Sequence, residues 1–286
     1  MIIFKHAKNL LAHLLTLKAK GHSVGFVPTM GALHQGHLSL VRQSRTTCAL
    51  TVCSIFVNPT QFNDPKDFEK YPVTIENDIL LLEQAGTDIL FLPPVAEIYP
   101  GGLTSPIHYN LGYLESILEG VYRPGHFQGV CQVVHNLLKI VTPDYIFLGQ
   151  KDYQQCMVIQ KLIHEFSLPV VLKAGDTLRE ADGLAMSSRN LRLTEAGRQK
   201  ATAIYGALSY IKKNIATTGI RQLKQDAMQI IVDAGFDKID YVEICDAGTL
   251  LPIETVGSQV NLVALAAAFI DGVRLIDNLI FAETGR

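Results

Sequence analysis

Residues 23–37 read Ser23-Val24-Gly25-Phe26-Val27-Pro28-Thr29-Met30-Gly31-Ala32-Leu33-His34-Gln35-Gly36-His37. The apolar run 23–27, ended by Pro28, has the character of a short buried strand. A glycine-bearing turn follows, and Leu38, Leu40 and Val41 then open a helix. A strand feeding a helix through a glycine turn is the first half of a βαβ unit. The same alternation extends outward from here. Leu10, Leu11, Leu14, Leu15 and Leu17 form a helical stripe upstream. Downstream, the β-branched run 50–57 is stopped by Pro59, Ile75, Ile79, Leu80 and Leu82 mark a helix, and 88–92 gives a third strand ended by Pro93-Pro94. Val130, Val133, Val134, Leu137 and Leu138 mark the next helix, followed by a strand at 145–148, a helix at 154–166 and a last strand at 169–173.

Strands separated by helices pair in parallel through right-handed crossovers, so the expected class is α/β with a doubly wound parallel sheet. The strands are apolar throughout rather than alternating, which suits strands covered on both faces. Ligands on such sheets bind at the carboxyl ends of the strands, so the residues just after each strand are the ones to interrogate. Near residue 178 the pattern changes to two helices (194–213 and 220–234) and then three strands (239–244, 259–269 and 274–280). The chain is therefore expected to divide into residues 1–177 and a smaller α+β domain, 178–286. The Pro/Gly-rich stretch 99–104 is the candidate for a mobile loop.

A chain of 286 residues is long enough for two domains, and 48% hydrophobic with 18% charged residues excludes intrinsic disorder. The net charge of −2 lacks the footprint of a nucleic-acid binder, and the low charge favours an oligomer. The five cysteines, Cys48, Cys53, Cys131, Cys156 and Cys245, include no pair at C-x-x-C spacing, so reduced thiols in a cytosolic protein are expected rather than a disulfide framework or a zinc site. Lys5, Lys8, His13 and Lys18 interrupt the amphipathic N-terminus, which leaves no clean signal-peptide core. The apolar run 260–270 falls short of the ~18 residues that span a bilayer. A soluble, intracellular protein without nucleic-acid or membrane partners is expected.

Four motifs carry chemistry. In 28–37, Gly31 and Gly36 permit close backbone approach, and the helix start behind them favours an anion. His34 and His37 share a face there and can donate to a phosphate whose charge grows during reaction. A metal pair is the weaker alternative, since no third ligand stands at a recognisable spacing. The second motif, Gly149-Gln150-Lys151-Asp152-Tyr153-Gln154-Gln155, follows a strand directly. Lys151 suits a phosphate, Asp152 a ribose hydroxyl, and Gln155 projects one turn beyond Lys151. A solvated Lys–Asp pair at a helix start is the plainer reading of the same residues. The third, Met186-Ser187-Ser188-Arg189-Asn190, can clamp a phosphate or be an ordinary loop. The fourth is Ser54-Ile55-Phe56-Val57-Asn58-Pro59-Thr60-Gln61-Phe62, where the amides of Asn58 and Gln61 suit a small hydroxy acid, unless they only shape the turn around Pro59.

Taken with RPGHFQGV (123–130) and READGLAMSSRN (179–190), these motifs occur in an order that resembles the pantothenate synthetases, or pantoate–β-alanine ligases, along nearly the whole chain. The resemblance implies a Rossmann-like nucleotidyltransferase domain and a smaller C-terminal domain that closes over the site. It further implies a cytoplasmic homodimer that uses ATP with Mg2+. The implied reaction joins pantoate to β-alanine through a pantoyl adenylate, releasing pyrophosphate and then AMP. Carried over residue by residue, the resemblance assigns ATP to Met30, Gly31, Ala32, Leu33, His34, Gln35, Gly36 and His37, with His37, His34 and Lys151 catalytic. Gly149, Gln150, Lys151 and Asp152, Leu178 at the adenine, and Met186, Ser187, Ser188 and Arg189 complete the nucleotide set. Gln61, Gln155 and Asn58 are assigned to pantoate, and Gln61 also to β-alanine. Thr60 stands where methionine is frequent and Gln150 where glutamate is common. Asp78 is a candidate magnesium neighbour, since Glu76-Asn77-Asp78 partly matches an acidic run of the family, and no metal ligand is assigned.

Two other readings stay open at this level. Another member of the His-x-Gly-His nucleotidyltransferase class would need a basic pocket for a phosphorylated acceptor, where this chain offers Asn58 and Gln61. A nucleotide-binding regulator without turnover would have less use for both histidines, Lys151 and the Ser-Ser-Arg run.

Overall fold

The structure is a computed structural model that describes residues 1–105, 107–255 and 261–282. The chain divides into two compact units, Met1–Thr177 and Leu178–Arg286. The first runs β1 (Ile2–Phe4), α1 (Ala7–Lys18), β2 (Val24–Thr29), α2 (Gln35–Thr47), β3 (Leu50–Ile55), α3 (Pro65–Glu69), α4 (Ile75–Gln84), β4 (Ile89–Phe91), α5 (Val95–Ile98), α6 (Glu119–Tyr122), α7 (His126–Val141), β5 (Tyr145–Gly149), α8 (Tyr153–Glu165) and β6 (Val171–Gly175). Its six strands form one sheet in the order β1-β4-β3-β2-β5-β6, every pair parallel. The helices α1, α7 and α8 pack on one another, as do α2 and α4, so the sheet is doubly wound. Phe26, Phe91 and Phe147 are fully buried in this sheet, which explains why its central strands read as unbroken apolar runs.

The strand order places the site. From β2 the chain winds one way through β3 and β4. It then crosses back along α7 to lay β5 against the other edge of β2. The carboxyl ends of β2 and β5 therefore flank a topological switch point, where open α/β sheets form a crevice.

The second unit contains α9 (Glu195–Lys200), α10 (Ala203–Asn214), α11 (Ile220–Asp233) and an antiparallel sheet β7-β8-β9 built from β7 (Lys238–Asp246), β8 (Asn261–Ile270) and β9 (Val273–Ala282). Ile204, Leu208 and Ile211 of α10 and Leu223, Ala227 and Ile231 of α11 share a core with Leu262, Ala264, Ala266 and Ala268 of β8. α10 lies against β8 and β9, and α11 lies against β7.

Several elements depart from the sequence reading. Ile2–Phe4 is an edge strand paired with β4, not the start of an amphipathic segment. Its three residues gain their conformation from tertiary pairing, which periodicity does not report. The strand expected at 169–173 runs instead over Val171–Gly175, in register with Tyr145–Gly149. Pro169, lacking an N–H, lies outside it. The single helix expected at 194–213 is interrupted at Ala201 and Thr202, although both keep right-handed helical dihedrals. Residues 259 and 260 of the expected strand 259–269 lie outside the described residues.

Candidate active site

The turn that leaves β2 is held from behind. Gly31 (φ +83°) and Ala32 (φ +48°) are both left-handed, a region uncommon for alanine. Asp78, fully buried in the first turn of α4, accepts the Ala32 amide through Oδ2 at 2.9 Å. Its Oδ1 accepts the Leu33 amide at 2.8 Å and the Thr74 hydroxyl at 3.0 Å. The Gly31 amide donates to Thr29 Oγ1 at 3.2 Å, and that hydroxyl donates to Ser54 O at 2.7 Å. A Cβ at Gly31 would stand 3.0 Å from Asp78 Oδ2 and 3.1 Å from Ile55 Cγ2, so the close approach requires glycine. Three consecutive amides, 31 to 33, are thus taken by the protein. Gly31, Ala32 and Leu33 shape the turn with these bonds.

The two histidines stand at the start of α2. His34 is the N-cap, and its Nδ1 accepts the Gly36 amide at 3.2 Å. His37 Nδ1 reaches back to accept the His34 amide at 3.3 Å. The two rings lie 4.0 Å apart between centroids. With both Nδ1 atoms accepting, each neutral ring carries its proton on Nε2 and offers it as a donor. Burial, the field of Lys151 and a smaller opposing effect of Asp152 bring the His34 pKa down to about 4. Burial, His34 and Lys151 hold His37 well below the ordinary range. Both rings are therefore neutral donors near pH 7. Gln35, between them, is exposed and accepts from Arg42 Nη2 at 3.3 Å.

Lys151 follows β5, the parallel neighbour of β2, on a single 3-10 turn over Gln150–Asp152. Its Nζ lies 3.4 Å from Asp152 Oδ2. A Cβ at Gly149 would meet nothing within 4 Å, so the space at this strand end is open. Gln155, in the first turn of α8, is half-buried, and its side chain makes no hydrogen bond among the described residues. Gln154 beside it is structural: it donates to Leu114 O and Ile117 O and accepts the Glu119 amide.

At the end of β3, Gln61 is half-buried on the turn Pro59–Gln61. Its Nε2 donates to Met30 Sδ at 3.1 Å, joining the first and fourth motifs. Asn58, expected at the ligand, is 1% exposed and lies beneath Gln61. Its Nδ2 donates to Gln61 Oε1 (3.1 Å) and Gly129 O (3.3 Å), and its Oδ1 accepts from Tyr99 (2.6 Å) and from Thr60. Both ends of its amide are occupied, and it braces Gln61 from below. The 123–130 motif grips the same turn. His126 Nδ1 donates to Gln61 O at 2.7 Å, Arg123 Nη2 to the same oxygen at 3.4 Å, and a Cβ at Gly129 would collide with the Thr60 carbonyl. Asp78, Tyr99 and these two side chains carry no local signal of their roles, because each acts on a partner more than 30 residues away.

Within the second unit, Leu178 and the 186–189 run are brought together by a hairpin. Met186 N donates to Leu178 O at 2.9 Å, beside an Arg179–Ala185 bridge. Ser187 Oγ caps the following 3-10 turn by accepting the Arg189 amide at 3.3 Å, and Ser188 is buried. Arg179 is anchored on Asp277 by two bonds of 2.6 and 3.0 Å and stacks 4.0 Å from the Tyr205 ring centre.

Among the described residues no group of three or more His, Cys, Asp or Glu could hold a metal ion, and Asp78 has its oxygens on the 32–33 turn. All five cysteines are free, and burial pushes Cys53, Cys131, Cys156 and Cys245 up to about 12. No helix of the described residues is long and apolar enough to cross a membrane.

A family model described as pantoate-beta-alanine ligase matches residues 2–280. The chain belongs to the pantoate–β-alanine ligase family. Among curated relatives, a pantothenate synthetase of Cytophaga hutchinsonii is 46% identical, with 98% of this chain and 99% of that protein covered. One of Cereibacter sphaeroides is 44% identical over 97% and 98%. A crystal structure of pantothenate synthetase from Thermus thermophilus superimposes with a TM-score of 0.90 at 37% identity, covering 98% of this chain and 99% of that one. A pantoate–β-alanine ligase from Francisella tularensis, complexed with beta-gamma ATP and beta-alanine, gives 0.81 at 36%, covering 98% and 97%.

Proposed function

We propose that this chain condenses pantoate with β-alanine at the expense of ATP, through a pantoyl adenylate. In the first step a pantoate carboxylate oxygen bonds to the α-phosphorus of ATP, and the bond to pyrophosphate breaks. In the second the amine of β-alanine attacks the activated acyl carbon, AMP leaves, and the nitrogen loses a proton. Splitting amide formation in this way replaces one difficult displacement by two easier ones.

The observation that carries this reading is the pair of Nδ1 bonds at His34 and His37, which leaves two neutral Nε2–H donors at a helix start beside Lys151. Such donors gain strength as charge builds on the phosphate and on the leaving pyrophosphate. Lys151 adds a positive charge to the same place. Gln61 and Gln155 hold pantoate, with Asn58 acting through Gln61, and β-alanine enters near Gln61. Gly149, Gln150 and Asp152 take part in nucleotide binding in the first unit. Leu178, Met186, Ser187, Ser188 and Arg189 do so in the second. Magnesium arrives with the nucleotide. The described residues offer no carboxylate cluster for it, and the chemistry assigned to the side chains does not run through it. The protein works as a homodimer in the cytoplasm, where the five free thiols stay reduced.

The test is AMP release with ATP, pantoate and β-alanine together, set beside ATP–pyrophosphate exchange. Exchange is expected with pantoate alone. A strict requirement for β-alanine in the exchange would overturn the separate adenylate step, and no AMP with all three substrates would overturn the activity.

A further inference from the structure

The end of the Gln61 side chain carries an oxygen and a nitrogen of nearly equal size, and which one faces the ligand decides what can bind there. Two backbone groups settle the matter through Asn58. Gly129 O can only accept, so the Asn58 atom 3.3 Å away is the Nδ2 donor. The Thr60 amide can only donate, so the Asn58 atom 3.4 Å from it is Oδ1. Nδ2 lies 3.1 Å from one end of the Gln61 amide, which must then be its oxygen. Gln61 Nε2 is turned the other way, past Met30 Sδ, and has a second hydrogen to give.

Tyr99 closes this chain of contacts. It is 4% exposed, at the end of α5, and its hydroxyl meets Asn58 Oδ1 at 2.6 Å, shorter than any other contact of that amide. Thr60 Oγ1 is 3.2 Å from the same hydroxyl. Burial pushes the phenol up to about 12, so it keeps the proton it donates. We propose that Tyr99 is a positioning residue: through Asn58 it holds Gln61 with its N–H toward the ligand, so that this subsite takes a hydrogen-bond acceptor, the carboxylate or hydroxyl oxygen of the acid substrate. The proposal rests on the reading that Gln61 holds pantoate. Without the Tyr99 hydroxyl, Asn58 loses its shortest bond and keeps only the longer contacts to Gly129 and Thr60, so Gln61 is held less firmly in that orientation.

Tyr99→Phe keeps the ring and removes only the donor. The KM for pantoate is expected to rise about ten-fold, the factor for one modest hydrogen bond, with the KM for ATP changed by less than about two-fold. The decisive measurement is the same substitution in a Gln61→Ala background, where it should have no further effect on the KM for pantoate. Asn58→Asp supplies a second arm. It turns an acceptor toward Gln61, forces the Gln61 carbonyl outward, and should raise the KM for pantoate at least as much as Tyr99→Phe. Circular dichroism confirms that each variant is folded. An unchanged KM in folded Tyr99→Phe or Asn58→Asp, or an equal effect of Tyr99→Phe with and without Gln61, overturns the positioning role alone. If Gln61→Ala itself leaves the KM for pantoate unchanged, the assignment of the pocket fails and the proposal with it.

Discussion

The carboxylate of Asp78 meets the amide of Ala32 at 2.9 Å, and so holds an alanine in a left-handed conformation at the head of the loop that carries His34. In Asp78→Asn one oxygen becomes an NH2 group, which faces a buried amide donor. Leaving such a donor unsatisfied costs about 1–3 kcal/mol. The melting temperature should fall by several degrees, and ATP–pyrophosphate exchange should fall with it as the histidines lose their support. A variant that melts like the parent would show that the turn holds itself.

Lys151→Ala removes a positive charge beside both histidines. Loss of a donor to developing phosphate charge costs about 10²–10³ in rate. The deficit should appear in the first step, measured as single-turnover adenylate formation, with an unchanged circular dichroism spectrum. Near-full first-step activity would reduce Lys151 to the partner of Asp152.

At His37 the neutral ring makes hydrogen bonding, rather than proton delivery by an imidazolium, the expected contribution. His37→Ala should lower kcat more than it weakens ATP binding. His37→Gln retains an N–H at similar reach and should recover part of the loss. Failure of the glutamine variant to exceed alanine, in a protein that melts normally, would return the role to proton transfer.

The depressed histidine also fixes a pH dependence. An ordinary histidine titrates near 6.5, whereas His34 in the folded protein holds out to about 4. Between these values the unfolded chain binds the extra proton, so stability rises with pH across the window and is lost on acidification from 6.5 toward 4. Melting temperatures recorded through this range should show the slope, and His34→Gln should reduce it, with His37 supplying a remaining part of the same sign. An unaltered slope in the variant would place the linkage elsewhere.

The doubly wound sheet was legible because its central strands are buried on both faces and each ends in a proline or glycine that marks the turn. The edges were less so. Ile2–Phe4 has too few residues to show a period and takes its shape from β4. The positions of His34, His37, Lys151 and Gln155 beyond the strand ends were legible because each follows a strand within a few residues. Asp78 and Tyr99 were not, since an aspartate on a helix and a tyrosine before a proline carry no local mark of distant partners. The bonding of Asn58 was hidden for a related reason. Its amide suits a ligand as well as it suits Gln61 and Gly129, and only burial separates the two.

The first turn of α2 is closed by the same two nitrogen atoms that fix where the imidazole protons sit. Helix ends open more readily than the body of a fold. Warming is expected to reach the reaction before it reaches the core: as that turn frays, both rings would be released to exchange tautomers while the sheet beneath stays intact. Turnover should fade, reversibly and on cooling recoverably, some degrees below the temperature at which the protein unfolds.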